Sequence, residues 1–242
     1  IAYRSAQRVY TLFEHNGRIA VDLGCPADRI RIVPNGVHME RFAHIEELRD
    51  HGGAFQVGAV VRVAPIKDIL TLLRAFAIVK REMPAAKLCI MGGLEEDPDY
   101  VAVCYRTVKM LGLEDVEFTG SVPVAEYLPK MDVLVLSSIS EGQPLAVLEG
   151  FSAHRPYVTT DVGCRELIYG DSNDTLGTAG AVVAPMDFEG MAYEILRLAR
   201  DYELRRSMAA VGFARTKAHY TYEQFISSYR TAYREAAEEG SH

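Results

Sequence analysis

Residues 140–150 read Ser-Glu-Gly-Gln-Pro-Leu-Ala-Val-Leu-Glu-Gly (SEGQPLAVLEG). Two carboxylates, Glu141 and Glu149, flank a Gly-Gln-Pro turn. Proline can open a helix but cannot continue one, because it lacks the N–H that an interior residue donates. The pattern therefore places Glu141 on a loop and Glu149 inside the helix that follows. Immediately upstream, MDVLVLSS (131–138) is an apolar run of strand length. A buried strand, an acidic loop and a helix bearing a second acid follow one another.

Working outward, the same alternation recurs. FQVGAVVRV (55–63) reads as a strand, and KDILTLLRAFAIVKREMP (67–84) as an amphipathic helix stopped by proline. KLCIMGG (87–93) is a buried strand ending in glycines. DPDYVAVCYRTVKMLG (97–112) is a helix with an acidic start, Pro98 in its first turn and Gly112 as C-cap. DVEFTG (115–120), RPYVTTD (155–161) and GAVVAP (180–185) are further strands, and from Asp187 the chain is helical. Parallel strands need crossover connections, so this order predicts an α/β fold with a doubly wound parallel sheet and C-terminal helices. Residues 1–34 make a smaller strand-helix-strand unit (RVYTLF, a helix over His15 to Leu23, RIRIVP), too small to bury its own faces. Residues 35–53 read as a linker. The last helix carries an aromatic stripe, Tyr222, Phe225, Tyr229 and Tyr233, read as core packing.

Bulk composition narrows the function. The chain has 242 residues, 49% hydrophobic and 24% charged, with a formal net charge of −7. That charge argues against wrapping nucleic acid or lying on an anionic membrane. No apolar run is long enough to span a bilayer, and no signal peptide opens the chain. The four cysteines (Cys25, Cys89, Cys104, Cys164) match no disulfide or metal spacing and read as reduced thiols in a cytosolic protein. The start at Ile1 and the ending EEGSH, which resembles an expression-tag remnant, suggest a fragment. An orphaned 1–34 segment would expose apolar surface and favour self-association.

Doubly wound sheets bind ligands beyond the carboxyl ends of their strands, near the switch in strand order. Three signals fall there. Arg62 and Lys67 follow one strand and suit a diphosphate, through a guanidinium fork and a compact ammonium charge; two solvated surface cations fit the same residues. Gly92 and Gly93 follow the next, where a bare turn is the simpler account. Glu141 and Glu149 cannot bind phosphate directly but can accept hydrogen bonds from sugar and ribose hydroxyls; a first-turn acid and an exposed helix glutamate are the plain alternatives. A nucleotide-sugar uses all of these at once. The histidines lack metal-ligand spacing, Ser137, Ser138 and Ser140 lack the G-x-S-x-G elbow of a hydrolase, and Cys164 has no identified base.

The motifs NGV (35–37), Arg62 with Lys67, VEFTGSV (116–122), the Glu141–Glu149 spacing, TTDVGCREL (159–167) and GAVVAP occur together in order. In this they resemble glycosyltransferase family 4, retaining enzymes of GT-B fold. EEDPDYVAVCYRTVKMLGL (95–113), residues 124–150 and DVGCRELIYG (161–170) are similar to the PelF-type exopolysaccharide glycosyltransferases, cytosolic proteins associated with UDP-glucose. The resemblance implies a division into residues 1–34 (the end of an acceptor domain), 35–53 (linker), 54–220 (donor-binding domain) and 221–242 (a helix reaching back to the acceptor domain). It implies that Arg62 and Lys67 stabilise the leaving diphosphate without a metal or other cofactor. Glu141 then holds donor-sugar hydroxyls, with backbone N–H groups over Gly142, Gln143, Pro144 and Leu145. Glu149 holds the ribose, the main chain at Ser121 and Val122 meets uracil, and Gly92 and Gly93 belong to the donor site. Its partners would be a UDP-sugar, a saccharide acceptor held mainly by the absent domain, and polysaccharide synthase subunits. Three departures stand out: the family's N-terminal domain is nearly absent, His154 stands where the family often has glycine, and a loop at Gly163-Cys164 is one residue short. The expectation is a donor half-site that transfers no sugar alone. Alternatives are a non-catalytic nucleotide-sugar-binding module of a synthase complex and a GT-B-fold epimerase. A glycosidase would also use paired carboxylates but has no need of Arg62 and Lys67.

Overall fold

A computed structural model describes Tyr3 and residues 6–50, 52–171 and 173–239. The tag-like residues 240–242 lie outside the described residues, as do positions 1, 2, 4 and 5 of the N-terminal unit. That unit contains β1 (Val9–Thr11) and β2 (Ile30–Ile32), paired in parallel, with α1 (Glu14–Asp22) between them.

The main sheet has six parallel strands: β3 (Gln56–Val60), β4 (Lys87–Met91), β5 (Val116–Gly120), β6 (Val133–Leu136), β7 (Tyr157–Thr160) and β8 (Gly180–Val183). Their order is β5-β4-β3-β6-β7-β8, so the direction of winding reverses between β3 and β6. The helices are α2 (Ile69–Glu82), α3 (Pro98–Met110), α4 (Val124–Tyr127), α5 (Leu145–Ser152), α6 (Arg165–Tyr169), α7 (Phe188–Arg200), α8 (Tyr202–His219) and α9 (Tyr222–Glu239). The doubly wound architecture expected from the βα alternation is the one observed.

Strand side chains alternate between two apolar layers, as the two-residue period of a strand requires. Val133 and Val135 of β6, with Leu88 and Ile90 of β4, join the layer under α2 and α7. Leu134, Leu136, Cys89 and Met91 join the opposite layer, against Val147, Leu148 and Phe151 of α5. Sequence caps act where they were read: Asp97 accepts from Tyr100 N at the start of α3, and Gly112 follows the helix at φ 64°.

Within the predicted linker, residues 35–48 are packed rather than loose. Val37, Phe42, Ile45 and Leu48 are buried, and Val37 exchanges backbone hydrogen bonds with Tyr220 and Tyr222 at the root of α9. The aromatic stripe of α9 differs from expectation. Its rings contact one another in sequence, from Tyr222 stacked on His38 out to Tyr233, but Tyr229 and Tyr233 are exposed. The later turns of α9 meet the N-terminal unit through another face, with Ala232 buried, its carbonyl accepting from the Tyr10 hydroxyl at 3.2 Å, and Glu235 lying 3.5 Å from Arg31, which leaves the outer rings of the stripe in solvent.

His154 lies just beyond α5 in the left-handed region, φ 53°. Its N–H reaches Phe151 O and the next N–H, of Arg155, reaches Gly150 O, the two bonds of a Schellman ending. The imidazole stacks on Phe213 at 4.0 Å, a contact that glycine could not make and that offsets the backbone strain.

Buried guanidinium groups lock the loops. Arg155 donates to the carbonyls of Leu128, Pro129, Ala153 and His154, tying the end of α5 to the segment before β6. Arg215 of α8 forks onto Asp174 (2.6 and 3.0 Å) and donates to the carbonyls of Leu167, Ile168 and Gly177. The Arg215 hydrogen bonds hold the Asp174 carboxyl below the usual carboxylate range. Ionised Asp174 therefore stabilises the fold above its unfolded pKa, and that contribution is lost as pH falls through the lowered folded value. Asp174→Ala leaves Arg215 charged and buried, so a loss of about 3–5 kcal/mol is expected in equilibrium urea unfolding at neutral pH, narrowing in acid.

Candidate active site

The site forms where β3 and β6 end side by side. Beyond β3 the backbone continues the sheet, with Val61 N bonded to Met91 O and Val63 N to Gly93 O. It then makes a short 3-10 turn, Pro65–Lys67, before α2. Beyond β6, Ile139 N bonds to Ile66 O and Ser137 Oγ donates to Lys67 O. These two bonds knit the Lys67 turn to the acidic loop. Glu141 lies on that loop and Glu149 within α5, as the turn chemistry implied. Pro144 serves as the N-cap rather than the first helical residue.

Lys67 Nζ lies 2.5 Å from Glu141 Oε1, and Ser138 Oγ donates to the same oxygen at 2.6 Å. Both partners of the ion pair are mostly shielded from solvent. Among the described residues Oε2 takes no hydrogen bond, so Glu141 is clamped by one oxygen and presents the other. The loop after β7 closes in from the far side. Gly163, at φ 71°, packs so tightly that a Cβ there would come within 2.0 Å of Gly142 O and 2.9 Å of Glu141 O. Any larger residue would push the acidic loop away.

A cleft of about 350 Å³ opens between these loops, lined by Arg62, Lys67, Gly92, Ser121, Val122, Glu141, Pro144 and Leu145 among others. Eight of the residues singled out in the sequence thus converge. Four do not line it. Gly93 lies beside it with its carbonyl committed to Val63. Gly142 is exposed beside it, with its carbonyl against Gly163. Gln143 turns inward: its Oε1 accepts from Asn35 N at 2.7 Å, and its carbonyl accepts from Asn35 Nδ2 at 2.9 Å. Its side chain is a strut between the acidic loop and the NG motif. Pro144 carries no N–H, so a backbone donor set over 142–145 can include only Gly142, Gln143 and Leu145. The Gly92 carbons press on the exit of β3, where a Cβ would meet Val61 O at 2.1 Å, so this glycine permits the close strand approach that shapes the cleft floor.

Glu149 stands on α5 outside the cleft lining, 3.7 Å from Arg41 Nη1. Burial pushes its carboxyl above the usual range, with the Arg41 charge pulling the other way. Arg41 was missed in the sequence, where nothing local distinguishes it. Arg62 is half-exposed at the cleft mouth and forms an ion pair with Glu96 from the loop after β4. Cys164 is fully buried, its thiol pushed far up by burial, which leaves no thiolate for chemistry. Among the described residues no cluster of three or more His, Cys, Asp or Glu could hold a metal ion, and no helix is long and apolar enough to cross a membrane.

Residues 54–201 match the family model "Glycosyl transferases group 1". The chain belongs to this family. The N-acetyl-alpha-D-glucosaminyl L-malate synthase of Bacillus anthracis is 30% identical over 69% of this chain and 42% of its own length. The capsular polysaccharide biosynthesis glycosyltransferase CapM of Staphylococcus aureus is 26% identical over 84% of this chain and 54% of its own length. The chain thus spans about half the length of the curated relatives it matches. Anabaena HepE, crystallised with UDP and glucose, superposes with a TM-score of 0.78 at 19% identity, covering 98% of this chain and 64% of that one. A sucrose-phosphate synthase from Thermosynechococcus elongatus gives 0.82 at 21%, covering 98% and 60%. The family's GT-B architecture agrees with the parallel sheet and C-terminal helices found here.

Because ionising Glu149 is harder in the fold than in the unfolded chain, its protonated form is the stabilising one, and that contribution is lost as pH rises through the folded pKa. Glu149→Gln is therefore expected to melt higher than the parent at pH 7, with the difference shrinking as pH is lowered through the Glu149 titration. Thermal unfolding across pH 4–8 measures it; a pH-independent difference would contradict the burial argument.

Proposed function

We propose that this chain is the donor-binding half of a retaining glycosyltransferase of the family 4 type, which transfers a hexose, glucose, from UDP to a growing exopolysaccharide of the Pel kind. The observation that carries the proposal is the convergence of Arg62, Lys67 and Glu141 in one cleft beside the β3/β6 switch point. The functions of relatives support the polymer: CapM, and the amylovoran biosynthesis glycosyltransferase AmsK of Erwinia amylovora, 27% identical over 90% of this chain. The UDP and glucose bound by HepE support the donor.

In this reading the diphosphate lies against Arg62 and Lys67. As the glycosidic C–O bond breaks, negative charge grows on the departing phosphate oxygen, and the two cations stabilise it without a metal. The clamped Glu141 accepts hydrogen bonds from donor-sugar hydroxyls through its open oxygen, and Glu149 accepts from the ribose. The main chain at Ser121 and Val122 borders the uracil. The acceptor hydroxyl attacks on the face the leaving group departs from, so the configuration is retained with no protein nucleophile, and its proton passes to the departing phosphate. The acceptor is held by a domain outside this chain, in the cytoplasm alongside polysaccharide synthase subunits. The isolated chain binds donor but transfers nothing.

Calorimetric titration with UDP, with ADP and GDP as controls, tests the site. Selective UDP binding is expected, weakened about tenfold or more by Arg62→Ala and by Glu149→Ala, the scale of a charge-assisted hydrogen bond. Absence of nucleotide binding would overturn the donor-site reading, and glucosyl transfer by the isolated chain would overturn its inactivity.

A further inference from the structure

The cations in and beside the donor cleft are already engaged by carboxylates: Lys67 by Glu141, Arg41 by Glu149 outside the lining, and Arg62 by Glu96. The first two acids have a place in donor recognition. Glu96 has none, since a carboxylate at the cleft mouth can only repel a diphosphate. We infer that Glu96 is an affinity-determining residue, an internal anion that competes with the donor diphosphate for Arg62 and favours release of the nucleotide product. The inference rests on the donor-site reading above.

The loop after β4 carries three consecutive acids, and local structure separates their roles. Glu95 folds back on its own loop, its carboxylate accepting from Leu94 N at 2.7 Å. Asp97 caps α3, accepting from Tyr100 N at 2.8 Å. Glu96 satisfies no backbone group of its own loop and instead spans to Arg62, 34 positions earlier. Pro98 begins α3 directly after the Asp97 cap, and Gly92 pins the loop's other end against β3. The loop is thus short and held at both ends, which keeps the Glu96 carboxylate within reach of the guanidinium.

Both partners are substantially exposed, 59% for Arg62 and 43% for Glu96. An exposed pair is weak and breaks readily, whereas a diphosphate offers Arg62 a bidentate partner with more charge. Donor binding therefore exchanges one anion for another at Arg62. When the diphosphate leaves, Glu96 is positioned to recapture the guanidinium.

Titrating the full chain with UDP and with uridine at low and high ionic strength tests this. Glu96→Gln, which keeps shape and removes charge, is expected to raise UDP affinity about three- to fivefold at low salt, the scale of one exposed ion pair. The gain should fade at high salt, be absent for uridine, and shrink in an Arg62→Ala background. Glu95→Gln should leave UDP affinity unchanged. Unchanged or weaker UDP binding by Glu96→Gln overturns the inference alone, as does an equal gain for uridine or a gain undiminished without Arg62. Failure of both parent and variant to bind UDP overturns the donor-site reading and the inference with it.

Discussion

Everything about the site follows from one topological constraint. Between β3 and β6 the sheet reverses its winding, so the connections leaving these neighbouring strands run to opposite sides. No crossover helix covers the gap. Two loops are left facing each other across open space, one carrying Arg62 and Lys67 and the other Glu141. Their backbones are then fastened together by Ile139 N to Ile66 O and by Ser137 to the Lys67 carbonyl. The Lys67–Glu141 pair is a consequence of that fastening: two opposite charges shielded from water must find each other or remain costly.

The rest of the molecule holds the loops at this separation. Gly163 lets the loop after β7 press directly on the Glu141 and Gly142 carbonyls. That loop leads into α6, whose last carbonyls are gripped by Arg215 from α8. Glu166 of α6 accepts the backbone N–H groups of Glu14 and His15 at the start of α1, and Gln143 reaches Asn35. The small N-terminal unit is therefore tied to α6 at the start of α1 and to the acidic loop through Gln143 Nε2, which reaches the Leu12 carbonyl at 3.5 Å. Gly163 at positive φ and His154 with its ring stacked on Phe213 both fit within this arrangement.

Much of this was legible in local sequence. Strands announced themselves by apolar runs of strand length, and helices by their spacing, by Asp97 and by prolines. Arg62, Lys67 and Glu141 could be named as candidates because ligand sites in such folds lie at strand exits, and exits are readable. The aromatic stripe of α9 misled, since periodicity reports that a face is apolar but not whether another surface reaches it. Gln143 was named for its backbone N–H through the family resemblance, and the contact of its side chain with Asn35, 108 residues away in the chain, had no local signal. Arg41 and Arg215 gave no signal, because a cation on a helix or loop looks the same whether it faces water or a carboxylate.

Chain-local chemistry thus settled the elements, their βα order and the loop-and-helix placement of Glu141 and Glu149, because proline geometry, capping and hydrophobic period act over a few residues. The partners of each charge were settled only by packing: Lys67 with Glu141, Arg62 with Glu96, Arg41 with Glu149, Arg215 with Asp174. Coulombic attraction depends on distance through space, and distances between residues far apart in sequence exist only once the sheet has formed.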